Sequence, residues 1–332
     1  MLPLFLLLAA STAFDESFRT GLMALQRGDL KAAEESLGAA AKLSPNDARV
    51  WVALARTYWK LDQQDKAGRA AARAESLGQS NPLVLSSLAI FYADSGKNLE
   101  AAHAMARCSL LTPNDAAARE KAESLYFEAV QPLLQQQKFA DAIEVLTKAT
   151  GQLSNSAQLE LALGVAHYGM RRFEDAARAF LRAIAIAPEI DRPYQFLGKF
   201  LGQIPARVPE AMQQFVRYQN AHPDRALGYL LHAKALNTLA IDPEIALDLL
   251  EKAIAIDERG AAEHFELGVV LDRMQRYAAA EREFARAAEL DPADPSPHYR
   301  LSRVYERLGK PEEARREREL HAKLVAAQEA AR

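Results

Sequence analysis

The chain repeats one pattern of apolar and small residues at intervals of 34 positions. The clearest copy spans residues 261–294, and further copies with the same internal spacing begin at residues 14, 48, 82 and 157. A fixed period of this length predicts an array of repeats, in which each unit contacts only its neighbours. In the clearest copy the pattern is carried by Leu267, Gly268, Leu271, Tyr277, Ala280, Phe284, Ala287, Leu290 and Pro292.

The prolines near the ends of the copies show where the period is interrupted. Pro45 and Pro113 lie two periods apart, whereas the step from Pro113 to Pro188 is two periods plus seven residues. The sequence therefore predicts nine repeats. We place repeats one to three at 14–115, a helical insertion at 116–122, and repeats four to nine at 123–328, where the last repeat ends in a polar capping helix. Pro132 falls inside the helix that follows the insertion, so we expect the array to be interrupted there.

These residues and their period resemble the tetratricopeptide repeat (TPR) family over nearly the whole chain. The resemblance implies an all-α fold, a right-handed α-solenoid of about nine helix-turn-helix repeats whose first helices line a concave inner face. Small residues such as Gly21 and Gly268 stand where the two helices of a repeat approach closely, and a larger side chain there should cost about 1–3 kcal/mol. Asp242, directly before Pro243, predicts an N-cap for a second helix.

The first thirteen residues differ from the rest of the chain. A short apolar run is followed by small residues, with Ser11 and Ala13 at the positions that favour cleavage by a signal peptidase. We expect a cleaved signal, export to the periplasm or the medium, and no stable membrane span afterwards. The alternatives are a cytoplasmic protein or an uncleaved N-terminal anchor, and the missing Lys or Arg before the apolar run favours these.

The composition and the absence of known motifs exclude several classes of function. The 41 basic and 44 acidic residues give a net charge of -3, which lacks the basic excess of nucleic-acid-binding proteins. One cysteine, Cys108, excludes an intramolecular disulfide. No nucleotide-binding, zinc or nucleophile motif occurs, and His264 and His298 stand at a packing position of the repeat. The sequence thus predicts a chain that is not an enzyme and binds neither a cofactor nor a metal ion.

The resemblance also implies which side chains line the inner groove. Carried over residue by residue, they form a mixed apolar and cationic surface in which we expect no matching acid for each base. Aromatic and cationic residues cluster in the second repeat and again in the last, where acidic partners with an apolar anchor would suit them. The candidate groove residues are Arg49, Val52, Arg56, Trp59, Lys60, Ile90, Phe127, Leu161, Tyr168, Lys199, Phe265, Arg273, Tyr299, Arg303 and Arg307.

The function predicted from these features is protein–protein interaction. The leading hypothesis is a scaffold or adaptor that binds a peptide or helix of another protein in the groove. Two alternatives remain open: a structural protein that self-associates through its repeats, and an accessory subunit of an enzyme complex. The Lys and Asn set with which chaperone-binding relatives hold a C-terminal carboxylate is not reproduced, since Phe18, Val52 and Leu161 occupy decisive positions.

Overall fold

The computed structural model describes residues 2–330, with side chains described for residues 12–330. Eighteen α-helices and two short 3₁₀ turns make up the regular structure, and residues 2–330 contain no β-strand. The all-α fold of helical repeats predicted from the sequence is confirmed. The chain divides into two compact units, Met1–Met170 and Arg171–Arg332.

The first unit consists of nine helices joined by short turns. Successive helices pack against each other, and the first helices of neighbouring repeats also make contact, α1 with α3, α3 with α5 and α7 with α9. The helices are α1 (Leu2–Arg27), α2 (Leu30–Leu43), α3 (Ala48–Lys60), α4 (Gln64–Leu77), α5 (Pro82–Asp94), α6 (Asn98–Leu111), α7 (Ala116–Gln135), α8 (Phe139–Gln152) and α9 (Ala157–Gly169).

The second unit also consists of nine α-helices. Its row of first helices is formed by α11, α13, α15 and α17, each in contact with the next. The helices are α10 (Phe173–Ile186), α11 (Asp191–Lys199), α12 (Val208–Ala221), α13 (Ala226–Leu239), α14 (Pro243–Ile256), α15 (Ala261–Arg273), α16 (Tyr277–Leu290), α17 (Ser296–Arg307) and α18 (Pro311–Ala330).

The turn inside a repeat requires one residue in the left-handed region of backbone space. Gly28 (φ +81°), Asp62 (+57°) and Gly96 (+73°) occupy this turn in the first three repeats, one period apart. Gln275 (+60°) and Gly309 (+71°) occupy it in the last two. Glycine adopts this conformation without steric cost, whereas a residue with a Cβ pays about 1–2 kcal/mol. The packed helices on either side hold Asp62 and Gln275 in it.

Several first helices begin at a capping side chain. Those of Asp47, Asn81 and Asp115 each accept a backbone N–H at 3.0–3.1 Å at the starts of α3, α5 and α7. These bonds satisfy amide groups that have no partner inside the helix. The prediction for Asp242 is wrong in its geometry, because this residue precedes α14 with φ +45° and its side chain accepts no capping hydrogen bond.

The two helices of a repeat meet at small residues. A Cβ added at Gly21 would lie 2.6 Å from the Leu37 side chain, and one at Gly268 would lie 2.7 Å from the Phe284 ring. Leu37 and Phe284 are fully buried. The alanines at the facing positions of the second helices are equally buried: Ala33, Ala67, Ala101, Ala142, Ala176, Ala211, Ala246, Ala280 and Ala314.

Two departures from the regular repeat are visible. The predicted insertion 116–122 forms the first turns of the long helix α7, and Pro132 lies near its end. An interruption of the array at this point stays a prediction. The other departure is α11, which ends after nine residues and is followed by the 3₁₀ turns Leu201–Gln203 and Pro205–Arg207. Their connecting residue, Ile204, is fully buried.

Polar and charged side chains dominate the C-terminal helix α18. In α18, Ala314 is the one buried residue among the described side chains, consistent with a polar cap. The predicted signal, residues 1–13, falls almost entirely outside the residues whose side chains are described, so its cleavage stays a prediction. Within the described part of the chain, no helix combines the length and apolarity that crossing a bilayer requires.

Candidate functional site

First helices of the first unit form a concave apolar pocket of about 240 Å³. The sequence register explains its lining, because α1, α3 and α5 contribute equivalent positions of three successive repeats. Val52 and Leu25 form buried parts of the wall, whereas Leu83 extends into solvent. We call this site the Leu83 pocket. It is lined by Phe18, Leu22, Leu25, Arg49, Val52, Ala53, Arg56, Leu83, Val84 and Ser87.

Several apolar side chains in and next to the Leu83 pocket are exposed to solvent. Leu83 is 75% exposed, and Leu22 on the opposite side is 41% exposed. Ile90, one helical turn beyond the lining residues of α5, is 49% exposed. Single exposed apolar residues are common, but a group rimmed by polar side chains is typical of an interaction surface.

The two arginines of the Leu83 pocket differ in how their charge is compensated. Arg49 donates to Asp47 through Nη2 at 2.6 Å and through Nε at 3.0 Å, and its guanidinium lies 5.5 Å from the centre of the Phe18 ring. This hydrogen bond holds the pKa of Asp47 below its ordinary value, although burial acts in the opposite direction. Arg56 is half-buried and has no acidic partner among the described residues, so it supplies the uncompensated charge of the pocket.

The other candidates of the first unit are not part of the lining of the Leu83 pocket. Trp59 is half-buried and Lys60 is exposed at the end of α3. Phe127 on α7 and both Leu161 and Tyr168 on α9 are half-buried. The structure therefore brings Arg49, Val52 and Arg56 together in one pocket and leaves the rest along the row of first helices.

A second, polar pocket of about 470 Å³ lies in the second unit, between the ends of α13, α15 and α17. We call it the arginine pocket. Two candidate residues, Arg273 and Arg307, line it together with Arg300, which was not among the candidates. The full lining is Asn237, Val269, Asp272, Arg273, Gln275, Tyr277, Arg300 and Arg307.

Neighbouring side chains hold two of these arginines. Arg307 donates to the Asp272 carboxylate and its guanidinium lies 5.3 Å from the centre of the Tyr277 ring. Arg273 donates to the side-chain oxygen of Asn237 at 2.8 Å and to the carbonyl oxygen of the same residue. The expectation that the groove bases lack acids is wrong for Arg307 and Arg49, because an acid from the preceding repeat or the preceding turn reaches each of them. It is also wrong for Arg303, which pairs with Glu306 on the same helix.

The remaining candidates of the second unit do not join the arginine pocket. Phe265 packs partly against the core, with its ring 5.7 Å from that of Phe284. Lys199 is exposed at the end of α11, and its ammonium lies 5.1 Å from the centre of the Phe196 ring. Two further candidates lie on α17: Tyr299 is 48% exposed with its ring 5.6 Å from His321, and Arg303 lies 3.8 Å from Glu306.

Two histidines outside the pockets have carboxylate partners. His264 lies 2.8 Å from Glu283, and His298 lies 2.6 Å from Glu317, so the same pair recurs one period apart. Cys108 is buried, and burial raises the pKa of its thiol. Among the described residues, no group of three or more histidine, cysteine, aspartate or glutamate side chains is arranged to hold a metal ion.

Comparison with solved structures finds several matches at low sequence identity. A thermophilic TPR protein of Thermus thermophilus matches at 23% identity and a TM-score of 0.44, over 52% of this chain and 99% of that one. MamA from Desulfovibrio magneticus matches at 20% identity and a TM-score of 0.42, over 52% and 96%. YrrB, a TPR protein with an unusual peptide-binding site, matches at 19% identity and a TM-score of 0.36, over 55% and 93%. No match to a curated protein was found.

Comparison with models of protein families identifies the family of this chain. One tetratricopeptide repeat model matches residues 24–90 and 133–199, and a second matches residues 240–295 and 265–319. Together the matched segments cover more than half of the chain and include both compact units. In the structure the left-handed turns recur one period of 34 residues apart at Gly28, Asp62 and Gly96, and again at Gln275 and Gly309. The chain belongs to the tetratricopeptide repeat family.

Proposed function

We propose that this chain is a non-enzymatic scaffold that binds a peptide or helix of a partner protein, and that the Leu83 pocket receives an apolar anchor of that partner. Tetratricopeptide repeats are generally protein-interaction modules. The observation that carries the proposal is the exposed apolar lining of a preformed concave site. A preformed groove favours binding because little conformational entropy is lost when the partner enters.

The chemistry of the pocket suggests the composition of the partner. An apolar side chain of the partner that contacts Leu83 and Leu22 would remove their apolar surface from water. This burial stabilises the complex by about 25 cal/mol per Å² of apolar surface. Arg56 adds one positive charge beside this surface, and a carboxylate of the partner would pair with it. We therefore expect an apolar residue with an acidic neighbour, and affinity that falls as salt rises.

A random peptide display library tests this on the full chain. Selection should yield peptides with an apolar anchor flanked by Asp or Glu, and fluorescence anisotropy then gives their affinities at two salt concentrations. Leu83→Ser and Arg56→Gln should each weaken binding about ten-fold or more, as expected for residues that carry binding energy. Tyr299→Ala and Arg303→Ala test the second predicted cluster with the same peptides.

Matched controls separate the pocket from general surface effects. Leu110 is 58% exposed on α6, outside the pocket, so Leu110→Ser should leave affinity unchanged. Arg69 is exposed on α4, outside the pocket lining, so Arg69→Gln should leave affinity unchanged and is the control for Arg56→Gln. Equal affinity of the selected peptides for Leu83→Ser and Leu110→Ser would refute the proposal, as would a basic consensus. A dimer abolished by Leu83→Ser would assign the pocket to self-association instead.

A further inference from the structure

We infer that the arginine pocket of the second unit is a site for a doubly charged phosphoryl oxyanion, either free phosphate or a phosphate monoester. This goes beyond the proposed function, because it concerns another unit and a ligand of different chemistry. Three guanidinium groups, those of Arg273, Arg300 and Arg307, face one pocket whose lining contains a single carboxylate, Asp272. Two positive charges therefore remain uncompensated within the lining.

The way in which Arg273 is held supports binding rather than internal neutralisation. Both of its hydrogen bonds are donated by Nη1, and both acceptors belong to the neutral residue Asn237. The side chain is thus oriented while its charge stays uncompensated. Nη2 and Nε have no acceptor among the described residues, which leaves a guanidinium edge for two oxygens of an incoming group.

Arg307 is fixed from two sides. Its Nη1 bonds to Asp272, whose side chain is only 12% exposed, and its guanidinium stacks near Tyr277. Arg300 is half-buried on α17 and has no acidic partner among the described residues. An oriented arginine loses little rotamer entropy on binding, so two held guanidinium groups beside a third form a partly preorganised site.

The charge and the donors favour a phosphoryl group over a single carboxylate. A phosphate monoester carries a charge of about -1.5 to -2 and three acceptor oxygens, which matches two surplus charges and several available N–H groups. One carboxylate would compensate only half of that charge. The helices α13, α15 and α17 end at this pocket and their dipoles disfavour anions there, whereas α16 alone begins there, at Tyr277, with a dipole that favours them. The guanidinium groups must therefore provide the attraction.

Isothermal titration calorimetry on the full chain tests the inference with inorganic phosphate and with a phosphoserine peptide. Both should bind at one site per chain, and acetate should bind at least about ten-fold more weakly than phosphate. Arg300→Gln and Arg273→Gln should each weaken phosphate binding about ten-fold or more, since each removes charge-assisted hydrogen bonds. Tighter binding of the peptide identifies a phosphorylated protein segment as the source, and tighter binding of the free ion identifies phosphate itself.

Two further variants make the outcome decisive. Asp272→Asn removes the only carboxylate of the lining, so phosphate affinity should rise several-fold, an effect that a purely structural role for the arginines would not produce. Arg286, exposed on α16 and paired with Glu289, lies outside the pocket, so Arg286→Gln should leave binding unchanged. Absence of saturable phosphate binding overturns the inference. So does acetate binding as tight as that of phosphate, or equal effects of Arg300→Gln and Arg286→Gln.

Discussion

Replacing Gly21 by alanine tests whether close contact between the helices of a repeat limits stability. The added Cβ would lie 2.6 Å from Cγ and 2.8 Å from Cδ2 of Leu37, and 3.1 Å from its backbone nitrogen. Leu37 has no exposed surface, so its side chain cannot turn towards solvent to relieve the contact. Either α1 must move away from α2, or the leucine must leave its rotamer.

The magnitude follows from two opposing effects. Overpacking of this kind costs about 1–3 kcal/mol. Replacing glycine by alanine inside a helix returns about 0.5–1 kcal/mol, because the unfolded chain loses backbone freedom and the helix propensity rises. We expect Gly21→Ala to lower the free energy of unfolding by about 1–2 kcal/mol.

Gly38 provides a control in the same helical hairpin. It lies within α2, directly after Leu37, and an added Cβ there meets no atom within 4 Å. Gly38→Ala should therefore raise the free energy of unfolding by about 0.5–1 kcal/mol. Urea denaturation followed by far-UV circular dichroism measures both variants, provided that their m-values match that of the natural sequence. Equal stability changes in the two variants would show that crowding at Gly21 costs nothing.

Other predictions concern single groups. His298→Ala should lower the free energy of unfolding by about 1 kcal/mol, because it removes the bond to Glu317; a denaturation midpoint identical to that of the natural sequence would contradict this. Burial raises the pKa of Tyr126 and of Tyr194 to about 12, so tyrosinate absorbance should show both ionising well above pH 10 in the folded chain. The unfolded chain loses these protons at a lower pH than the folded chain. The free energy of unfolding should therefore be constant just below pH 10 and decrease as the pH rises to about 12. The decrease should be smaller in Tyr126→Phe, which lacks one of the two ionising groups. Mass spectrometry of the native protein should find a chain that begins at Phe14, and an intact N-terminal peptide as the sole form would contradict the export prediction.

The repeat period predicts most of the fold because each helical pair depends on short-range spacing. The eighteen helices of residues 2–330 follow from nine repeats, and glycine marks the left-handed turn at Gly28, Gly96 and Gly309. The sequence does not reveal that Asp62 and Gln275 adopt the same conformation. Their side chains give no signal for it, and the surrounding helices impose it. Only the position in the period identifies these turns.

The shortened helix α11 shows where the period is insufficient. The step from Pro188 to Pro223 is 35 residues, one more than the period, which indicates an irregularity but not its form. In the structure, α11 ends at Lys199, and two 3₁₀ turns place Ile204 and Leu201 in the core before α12 begins. Gly202 and Pro205 each disfavour continuation of the helix. The residue at which α11 ends depends on packing against α10, α12 and α13. This packing cannot be deduced from the local sequence.

Electrostatic pairing is the property of the groove that the period predicts least well. The register places Arg49, Arg56, Arg273 and Arg307 at inner positions of their repeats, and on sequence alone their charges look alike. In the structure, Arg49 and Arg307 are compensated by carboxylates, whereas Arg273 is held by a neutral amide. These differences arise from single residues, such as Asp272 one repeat before Arg307, and from side-chain rotamers. A partner meets the charge that remains after pairing, and that charge is concentrated at Arg56 in the first unit and at Arg273 and Arg300 in the second. Binding experiments on repeat proteins of this kind should therefore begin with the bases that lack an internal acid. Removing a compensated arginine leaves a half-buried carboxylate without its ion-pair partner, which weakens the fold as well as the site.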